Sequence, residues 1–284
     1  MSAPSVLSFV QAEPILRGRD AGQKSVASSE DLGMTRCEVQ IEPDGVRFPS
    51  GEFLSWDSLQ AIANSPQGCF VIRDGAPRKV QMFSEQTDRH YSLMPTDLAP
   101  TMLVSGIPMH RVKGTDPYHD TLTKIKAARP VAGRVLDTAT GLGYTAIEAA
   151  KTAEQVVTIE LDPVVLELAA QNPWSQALFN NPQITQLIGD SSEKVAEFED
   201  GAFSVILHDP PTLSLAGEMY SGECYRQLFR VLRKGGRLFH YIGDPNSSLG
   251  HRVTKGVARR LQEAGFARIV YRPDAFGLVA FKTT

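Results

Sequence analysis

Four acidic residues in the second half of the chain each end or follow an apolar run. They are Asp137 after RVL, Glu160 after QVVTI, Asp190 after ITQLIG and Asp209 after FSVILH. Each run is long enough for a buried strand, and ligands of open α/β sheets bind in the crevice beyond the carboxyl ends of the strands. Carboxylates in that crevice can accept hydrogen bonds from hydroxyl and amino groups. The spacing therefore predicts one ligand site with several acidic acceptors.

The first of these acids opens the glycine-bearing segment DTATGLG, which lies between an apolar run and a helical pattern. Gly141 and Gly143 allow a tight turn and a close backbone approach to a ligand, at which the N–H groups of the following helix point. Alone, this segment is also compatible with a structural turn. An acid 23 residues past Asp137 favours binding, since Glu160 could accept both hydroxyls of a ribose. Asp190 could accept from an adenine amino group or cap the helix that follows.

A second motif, HDPP at residues 208–211, closes a buried apolar run. Two prolines restrict the backbone to an extended turn, so that Asp209 and the following carbonyls would face the crevice. Such acceptors can orient an amine, or take its proton, for attack on an electrophilic carbon. His208 could be a base near neutral pH or a packed strand-end residue, and the sequence leaves both open. Asp209, Pro210 and His208 are the predicted catalytic residues.

The elements that would position these residues alternate between strands and helices from about residue 111 onward. Apolar strand-like runs are separated by amphipathic segments such as YHDTLTKIKAA and YTAIEAAKTAE. This alternation implies parallel strands with helical crossovers, and hence an α/β fold with a doubly wound sheet. At the C-terminal end, ARIVYR and GLVAFK are separated only by PDAF, a connection so short that it demands an antiparallel hairpin.

The first 110 residues differ in composition from the rest. Residues 1–32 are rich in Ser, Ala and Gly and predict a flexible N-terminal arm. Residues 33–110 combine short β-type runs and turn residues with one helical segment, SWDSLQAIAN, in which Leu59 and Ile62 share a face behind Ser55 as cap. They predict a small β-rich domain, whereas residues 111–284 predict the ligand-binding domain.

Composition excludes several classes of function. The formal net charge of −3 provides no global basic field, so a nucleic-acid partner is not favoured. Three widely spaced cysteines show no metal-ligand spacing and fit a reducing, cytoplasmic setting, and we expect no metal. No apolar run approaches the roughly 20 residues that span a bilayer. A small-molecule substrate is favoured, and the oligomeric state, homo-oligomer included, stays open.

At these residues the chain resembles the class I S-adenosylmethionine-dependent methyltransferases. The loop is similar to their D-x-G-x-G-x-G pattern with Ala139 in place of the first glycine, and HDPPT resembles the N/D-P-P-Y/F motif of amino-group methyltransferases. Thr212 replaces the aromatic residue of that motif, which lowers the case for a planar nucleobase as acceptor. The resemblance implies S-adenosylmethionine as cofactor. The residues it implies for cofactor binding are Asp137, Ala139, Gly141, Gly143, Tyr144, Thr145, Glu160, Leu161, Asp190 and Ser191.

A narrower resemblance is to the predicted methyltransferases described mostly from archaea, and to the related spermidine-synthase-type aminopropyltransferases. DPYHDTLTKI is similar to the aminopropyltransferase stretch D-E-x-x-Y-H-E-x-L, and GEMYSGECYRQLF is similar to L-Y-S-x-E-F-Y-x-x-L. The small β-rich unit also fits that group, and it would cover the crevice. The resemblance implies four substrate residues: Tyr118, His119, Tyr220 and Tyr225.

One position distinguishes the two donors. The aminopropyltransferases carry the loop G-G-G-D-G-G, whose Asp holds the free amine of decarboxylated S-adenosylmethionine, whereas Tyr144 follows Gly143 here. An added carboxylate would repel the carboxylate of intact S-adenosylmethionine, so its absence favours methyl transfer. The HDPP resemblance implies an amino group as the acceptor, in preference to sulfur or oxygen. Two alternatives stay open, namely an aminopropyltransferase and a catalytically silent cofactor-binding partner protein.

Overall fold

Residues 4–213, 215–244 and 247–283 are described by the computed structural model of the chain, and they divide into two units. The first unit runs to Tyr118 and includes Val164–Gln176, and the second comprises His119–Pro163 and the chain from Ala177 onward. This division differs from the predicted boundary at residue 110. The segment Val164–Gln176 belongs with the first unit because Trp174 packs on the ring of Tyr118 and donates from Nε1 to the Leu32 carbonyl at 3.2 Å.

The first unit is built from short antiparallel strands. They are β1 (Val6–Ser8), β2 (Ser25–Ser28), β3 (Cys37–Glu42), β4 (Gly45–Arg47), β5 (Phe53–Ser55), β6 (Cys69–Arg73), β7 (Ala76–Lys79), β8 (Gln81–Ser84), β9 (Arg89–Met94), β10 (Thr101–Val104) and β11 (Ile107–Pro108). They form sheets in the orders β1-β6-β7, β2-β3-β4-β5 and β11-β10-β9-β8. Two helices of this unit, α1 (Phe9–Asp20) and α2 (Trp56–Ala63), pack together beside the strands. The Ser55 side chain caps α2, and Leu59 and Ile62 form its buried face, as expected from their spacing.

The prediction of a flexible arm over residues 1–32 is wrong for the described residues from Ser5 onward. Ser8 and Gln11 form a capping box at the start of α1, in which Gln11 Oε1 accepts from the Ser8 amide at 3.0 Å. A short apolar stripe of α1 then joins the buried core of the unit. Its members are Ala12, Ile15 and Leu16. Polar residues and Pro14 interrupt the stripe, which hid its helical period in the sequence.

The second unit contains a seven-stranded sheet with the order β14-β13-β12-β15-β16-β18-β17. Its strands are β12 (Arg134–Asp137), β13 (Gln155–Glu160), β14 (Ile184–Ile188), β15 (Phe203–His208), β16 (Leu232–Tyr241), β17 (Arg268–Arg272) and β18 (Gly277–Phe281). Strands β12 to β16 are parallel, and β18 runs antiparallel to both β16 and β17. The doubly wound, Rossmann-like sheet expected from the alternation of elements is confirmed.

Helices connect the parallel strands. From residue 117 onward they are α3 (Pro117–Ala128), α4 (Tyr144–Ala150), α5 (Pro163–Ala169), α6 (Gln176–Asn180), α7 (Ser191–Ala196), α8 (Gly222–Val231) and α9 (Ser248–Glu263). The central strand β15 is buried along its whole length, which is typical of a parallel strand covered on both faces. None of the helices in the described part of the chain is long and apolar enough to cross a membrane.

The sheet order places the predicted acids side by side. Strand β12 lies between β13 and β15. After β12 the chain first adds β13 and β14 on one side of the sheet, and it then crosses over to add β15 and β16 on the other side. Asp137 pairs with Thr158 on β13 and with Leu207 on β15, so the carboxyl ends of all three strands lie at one edge. The point where the strand order reverses is where open α/β sheets bind ligands. This edge is therefore the candidate site.

Candidate functional site

The glycine loop after β12 is held in a conformation that other residues rarely adopt. Gly141 and Gly143 have φ values of +51° and +77°, and the Gly143 amide donates to the Thr140 carbonyl at 2.7 Å. A Cβ atom on Gly143 would lie 2.7 Å from the Leu178 side chain, whereas one on Gly141 would meet nothing within 4 Å. The loop is thus closed against the protein at Gly143 and open at Gly141, which is where a ligand could approach the backbone.

Asp137 lies beneath this loop and is completely buried. Its Oδ2 accepts from the hydroxyls of Thr145 on α4 and Thr158 on β13, at 3.0 and 3.3 Å. Burial raises the pKa of Asp137 to about 7, although hydrogen bonds from Thr145, the Ala139 backbone and Thr158 oppose the shift. Asp137 therefore ties the loop to its neighbouring elements. Tyr144, the first residue of α4, is also buried.

Glu160, the last residue of β13, is hydrogen-bonded to the open part of the loop. Its Oε2 accepts from the Gly141 amide at 2.8 Å, and its Oε1 accepts from the Asp162 amide at 3.2 Å. Burial raises the pKa of Glu160 to about 7, against the lowering effect of these amides. Two carboxylate oxygens offer about four acceptor positions, so the amides of Gly141, Asp162 and Leu161 leave capacity for a ligand's hydroxyl.

An apolar surface adjoins this carboxylate. Leu161 follows Glu160 directly, and Ile188 at the end of β14 is the strand partner of Glu160. Their side chains are 44% and 52% exposed. Exposed aliphatic groups beside a partly buried carboxylate have the chemistry to take the flat base and the ribose of a nucleoside. The Gly141 opening, Glu160 and these two side chains together fit the adenosine part of the implied cofactor.

Asp190 and Ser191 serve local structure in this arrangement. Asp190 Oδ1 accepts from the Ser192 amide at 2.7 Å and caps α7, the alternative that the sequence left open. Ser191 donates to the Thr138 carbonyl of the glycine loop at 2.5 Å. These contacts hold the start of α7 against the loop. An adenine contact from Asp190 would have to use its other carboxylate oxygen.

Asp209 is part of a buried ionic cluster that sequence reasoning missed. Lys124 Nζ lies 2.7 Å from Asp209 Oδ2, 2.8 Å from Asp120 Oδ2 and 4.4 Å from the centroid of the Tyr241 ring. Burial lowers the pKa of Lys124, but the charges of Asp209 and Asp120 outweigh it, and the net shift is upward. Lys124 is therefore an ammonium. The i,i+4 spacing of Asp120 and Lys124 on α3 was the available sequence signal.

His208 is a packed histidine, which corrects its assignment as a catalytic base. Its Nε2 lies 2.9 Å from the Met219 carbonyl, which can only accept, so Nε2 carries the proton. Nδ1 then accepts from the Thr138 hydroxyl at 2.7 Å. Burial lowers the pKa of His208 to about 4. Both ring nitrogens are engaged and the ring is neutral, so His208 links the glycine loop to the segment around Met219.

The predicted substrate tyrosines separate into two groups. Tyr225 is fully buried on α8 with its hydroxyl 2.9 Å from His240 Nε2, so it belongs to the core and its assignment to the substrate is corrected. Tyr220 donates to the Pro211 carbonyl at 3.0 Å and thereby fixes the turn that follows Asp209 and the buried Pro210. Burial, with the charges of Asp209 and Tyr241, raises the pKa of Tyr220.

Two predicted substrate residues lie at the start of α3. Tyr118 is half-buried with its ring 5.4 Å from that of Trp174 in the first unit, and His119 is exposed at the beginning of the second. Among the residues that the structure describes, no group of three or more His, Cys, Asp or Glu could hold a metal ion.

Comparisons with known proteins show which family the chain is similar to. A family model described as a methyltransferase domain matches residues 135–236. An uncharacterized protein from Methanocaldococcus jannaschii is 44% identical over 258 residues, which cover 89% of this chain and 88% of that protein. Putrescine N-methyltransferase 4 from Nicotiana tabacum is 25% identical over 140 residues, 48% of this chain and 36% of that enzyme. Spermidine synthase from Thermotoga maritima has a similar fold, with a TM-score of 0.57, 20% identity and 71% of each chain covered.

Proposed function

We propose that the chain methylates an amino group of a small-molecule acceptor. The premise is that the chain belongs to the class I S-adenosylmethionine-dependent methyltransferases related to spermidine synthase. The observation that carries the proposal is Asp209. Its carboxylate stands at the carboxyl end of β15, beside the glycine loop, and its side chain is 21% exposed. A carboxylate there can orient an amine and accept its proton.

The cofactor fits the residues around the loop. Glu160 would hold the ribose hydroxyls, Leu161 and Ile188 would cover the adenine, and the backbone at Gly141 would approach the amino-acid part. S-adenosylmethionine supplies an electrophilic methyl group on its sulfonium. The protein's own residues would align the acceptor amine with that methyl group, and such orientation can lower the barrier by up to about 7–11 kcal/mol.

The identity of the donor rests on Tyr144. The first turn of α4 begins with this buried aromatic residue, and the segment GLGYT carries no aspartate like that of the aminopropyltransferase loop G-G-G-D-G-G. Without that carboxylate the site lacks a partner for the free amine of decarboxylated S-adenosylmethionine, and it does not repel the carboxylate of the intact donor. Tyr144 therefore favours methyl over aminopropyl transfer, in spite of the shared fold with spermidine synthase.

The test supplies each donor separately. The protein is incubated with methyl-labelled S-adenosylmethionine, or with decarboxylated S-adenosylmethionine, and a mixture of small amines, and the products are identified by mass spectrometry. We expect methylated amine from the first donor alone. Aminopropylated product from the second donor alone would overturn the proposal, and binding of donor without any product would identify a silent cofactor-binding protein.

A variant at Asp209 tests the acceptor's position. Asp209→Asn keeps the shape of the side chain but removes its charge, so we expect methyl transfer to fall by about 100-fold or more while S-adenosylmethionine binding is retained. Asp44→Asn, at an exposed position in the first unit, is the matched control and leaves transfer unchanged. Full activity of the Asp209 variant would contradict the assignment.

A further inference from the structure

The groups around Lys124 are those with which proteins bind a substrate's ammonium. Two carboxylates lie 2.7 and 2.8 Å from Nζ, and an aromatic face lies 4.4 Å away. Charge-assisted hydrogen bonds and cation–π contacts are the usual means of holding an amine cation. We name Asp120, Lys124, Asp209 and Tyr241 the ammonium cluster. In this protein the cation between these groups is the ammonium group of Lys124 itself.

Burial decreases from one end of the ammonium cluster to the other. The side chains of Asp120, Lys124 and Asp209 are 0%, 3% and 21% exposed. An acceptor arriving from solvent therefore meets Asp209, and Lys124 stands between it and the inner carboxylate. Asp120 cannot receive a second ammonium while Lys124 is in place.

The charge of the cluster follows from its members. Two carboxylates and one ammonium sum to one negative unit, because Lys124 remains protonated. Among the residues that the structure describes, the other titratable side chains facing Asp209 add no positive charge: the pKa of Tyr220 is raised by burial, and burial keeps His208 neutral with a pKa of about 4. The charge of Asp209 also raises the pKa of Asp137. Asp137 is unchanged in every variant considered below, so it adds the same charge to each of them.

We infer that Lys124 is a specificity-determining residue, which reduces the acceptor subsite at Asp209 to a single negative charge and so selects an acceptor with one cationic amine over a diamine. The inference rests on the proposed amine methylation and adds the class of acceptor. A diamine would bring its second ammonium toward Lys124, where like charges repel at short range. An acceptor that carries one positive charge therefore matches the single exposed carboxylate of the subsite.

The experiment compares two probes that have the same four-carbon chain and different charges. Binding of n-butylamine and of 1,4-diaminobutane to the full-length protein, saturated with S-adenosylhomocysteine, is measured by titration calorimetry at one pH of about 8. The proteins are the wild type, Lys124→Met, Asp120→Asn and the double variant. Methionine keeps most of the aliphatic volume of lysine, so the substitution changes mainly the charge.

Each variant moves the charge of the subsite in a defined direction. Lys124→Met leaves two negative charges, and we expect the preference for the diamine over the monoamine to rise by at least about tenfold. Asp120→Asn leaves no net charge and should weaken the binding of both amines by about tenfold. The double variant restores one negative charge, and its preference should return to within about threefold of the wild type.

These expected changes in amine binding distinguish a role of Lys124 in selectivity from a purely structural role. A lysine that only stabilised the fold would, when removed, weaken the binding of both amines, and that result would overturn the inference. Equal preferences in all four proteins, or no binding of either amine to the wild type and Lys124→Met, would overturn it as well. If Lys124→Met leaves an uncompensated buried charge and does not fold, Asp120→Asn and the double variant decide the question.

The outcome is also separable from that of the proposed reaction. Amine binding that follows the charge of the subsite supports the role of Lys124 whether or not a methyl group is transferred. Absence of transfer to any amine from either donor, with charge-dependent amine binding intact, would overturn the proposed methylation alone.

Discussion

Glu160, the proposed ribose acceptor, already supports the glycine loop in the free protein. Its two oxygens accept from the amides of Gly141 and Asp162, so the side chain holds the glycine loop open. Burial raises the pKa of Glu160 to about 7, which means that its ionised form is incompletely satisfied. Hydroxyl donors from a ribose would supply the missing hydrogen bonds.

This position leads to a prediction for cofactor affinity. Glu160→Gln retains an oxygen for the Gly141 amide but loses the charge, so we expect S-adenosylmethionine binding to weaken by about 1–3 kcal/mol, the usual range for a charge-assisted hydrogen bond. Titration calorimetry measures the change, with the exposed Glu199→Gln as the matched control. An unchanged dissociation constant would contradict the ribose contact.

Other residues at the site could not be assigned from the sequence, because their roles depend on partners that are distant along the chain. Asp137, Glu160 and Asp209 were predictable, since each ends or directly follows a strand whose carboxyl end faces the crevice. His208 has the same sequence signal, and only its contacts with Thr138 and Met219 identify it as packed and neutral. Lys124 lies 85 residues from Asp209, so nothing local marks their ion pair.

At the scale of elements, the glycine loop depends on the fit between Gly143 and α6. We expect Gly143→Ala to lower the free energy of unfolding by about 2–4 kcal/mol, because its φ of +77° strains any Cβ and that atom would also meet Leu178 at 2.7 Å. Gly141→Ala is the matched control, since its φ is +51° but no atom lies within 4 Å of the added carbon. Urea unfolding measures both variants, and equal losses of stability would show that the contact with Leu178 is unimportant.

The two units differ in how far their elements could be predicted. In the second, long apolar strands alternate with helices, and this alternation indicates the doubly wound sheet directly. In the first, α1 was missed because its buried stripe is short and interrupted by Pro14. Its capping box, Ser8 with Gln11, was the one local signal of a helix start. Short strands and short stripes carry too few residues for periodicity to be decisive.

For the molecule as a whole, the candidate site costs stability at neutral pH. Burial raises the pKa of both Asp137 and Glu160 to about 7, from 3.8 and 4.5 in the absence of a folded environment. A carboxyl whose pKa is raised by folding binds its proton more tightly in the folded state. Its contribution to stability is fully present below about pH 4 and is lost as the pH rises toward 7. The free protein is therefore less stable when these two acids are ionised, which is the form in which they would bind a cofactor.

Asp137→Asn tests this account through the pH dependence of unfolding. The asparagine keeps an oxygen for the hydroxyls of Thr145 and Thr158 but cannot ionise. Between pH 5 and pH 8 we expect the free energy of unfolding of the wild type to fall by about 2–3 kcal/mol more than that of the variant, as urea titrations at the two pH values would measure. The lowered pKa of His208 acts in the opposite direction, but it is common to both proteins and cancels in the difference. The exposed Asp44→Asn should keep the wild-type slope. A parallel fall in the wild type and Asp137→Asn would mean that Asp137 is already ionised at pH 5, and that the glycine loop is supported by a charged residue throughout.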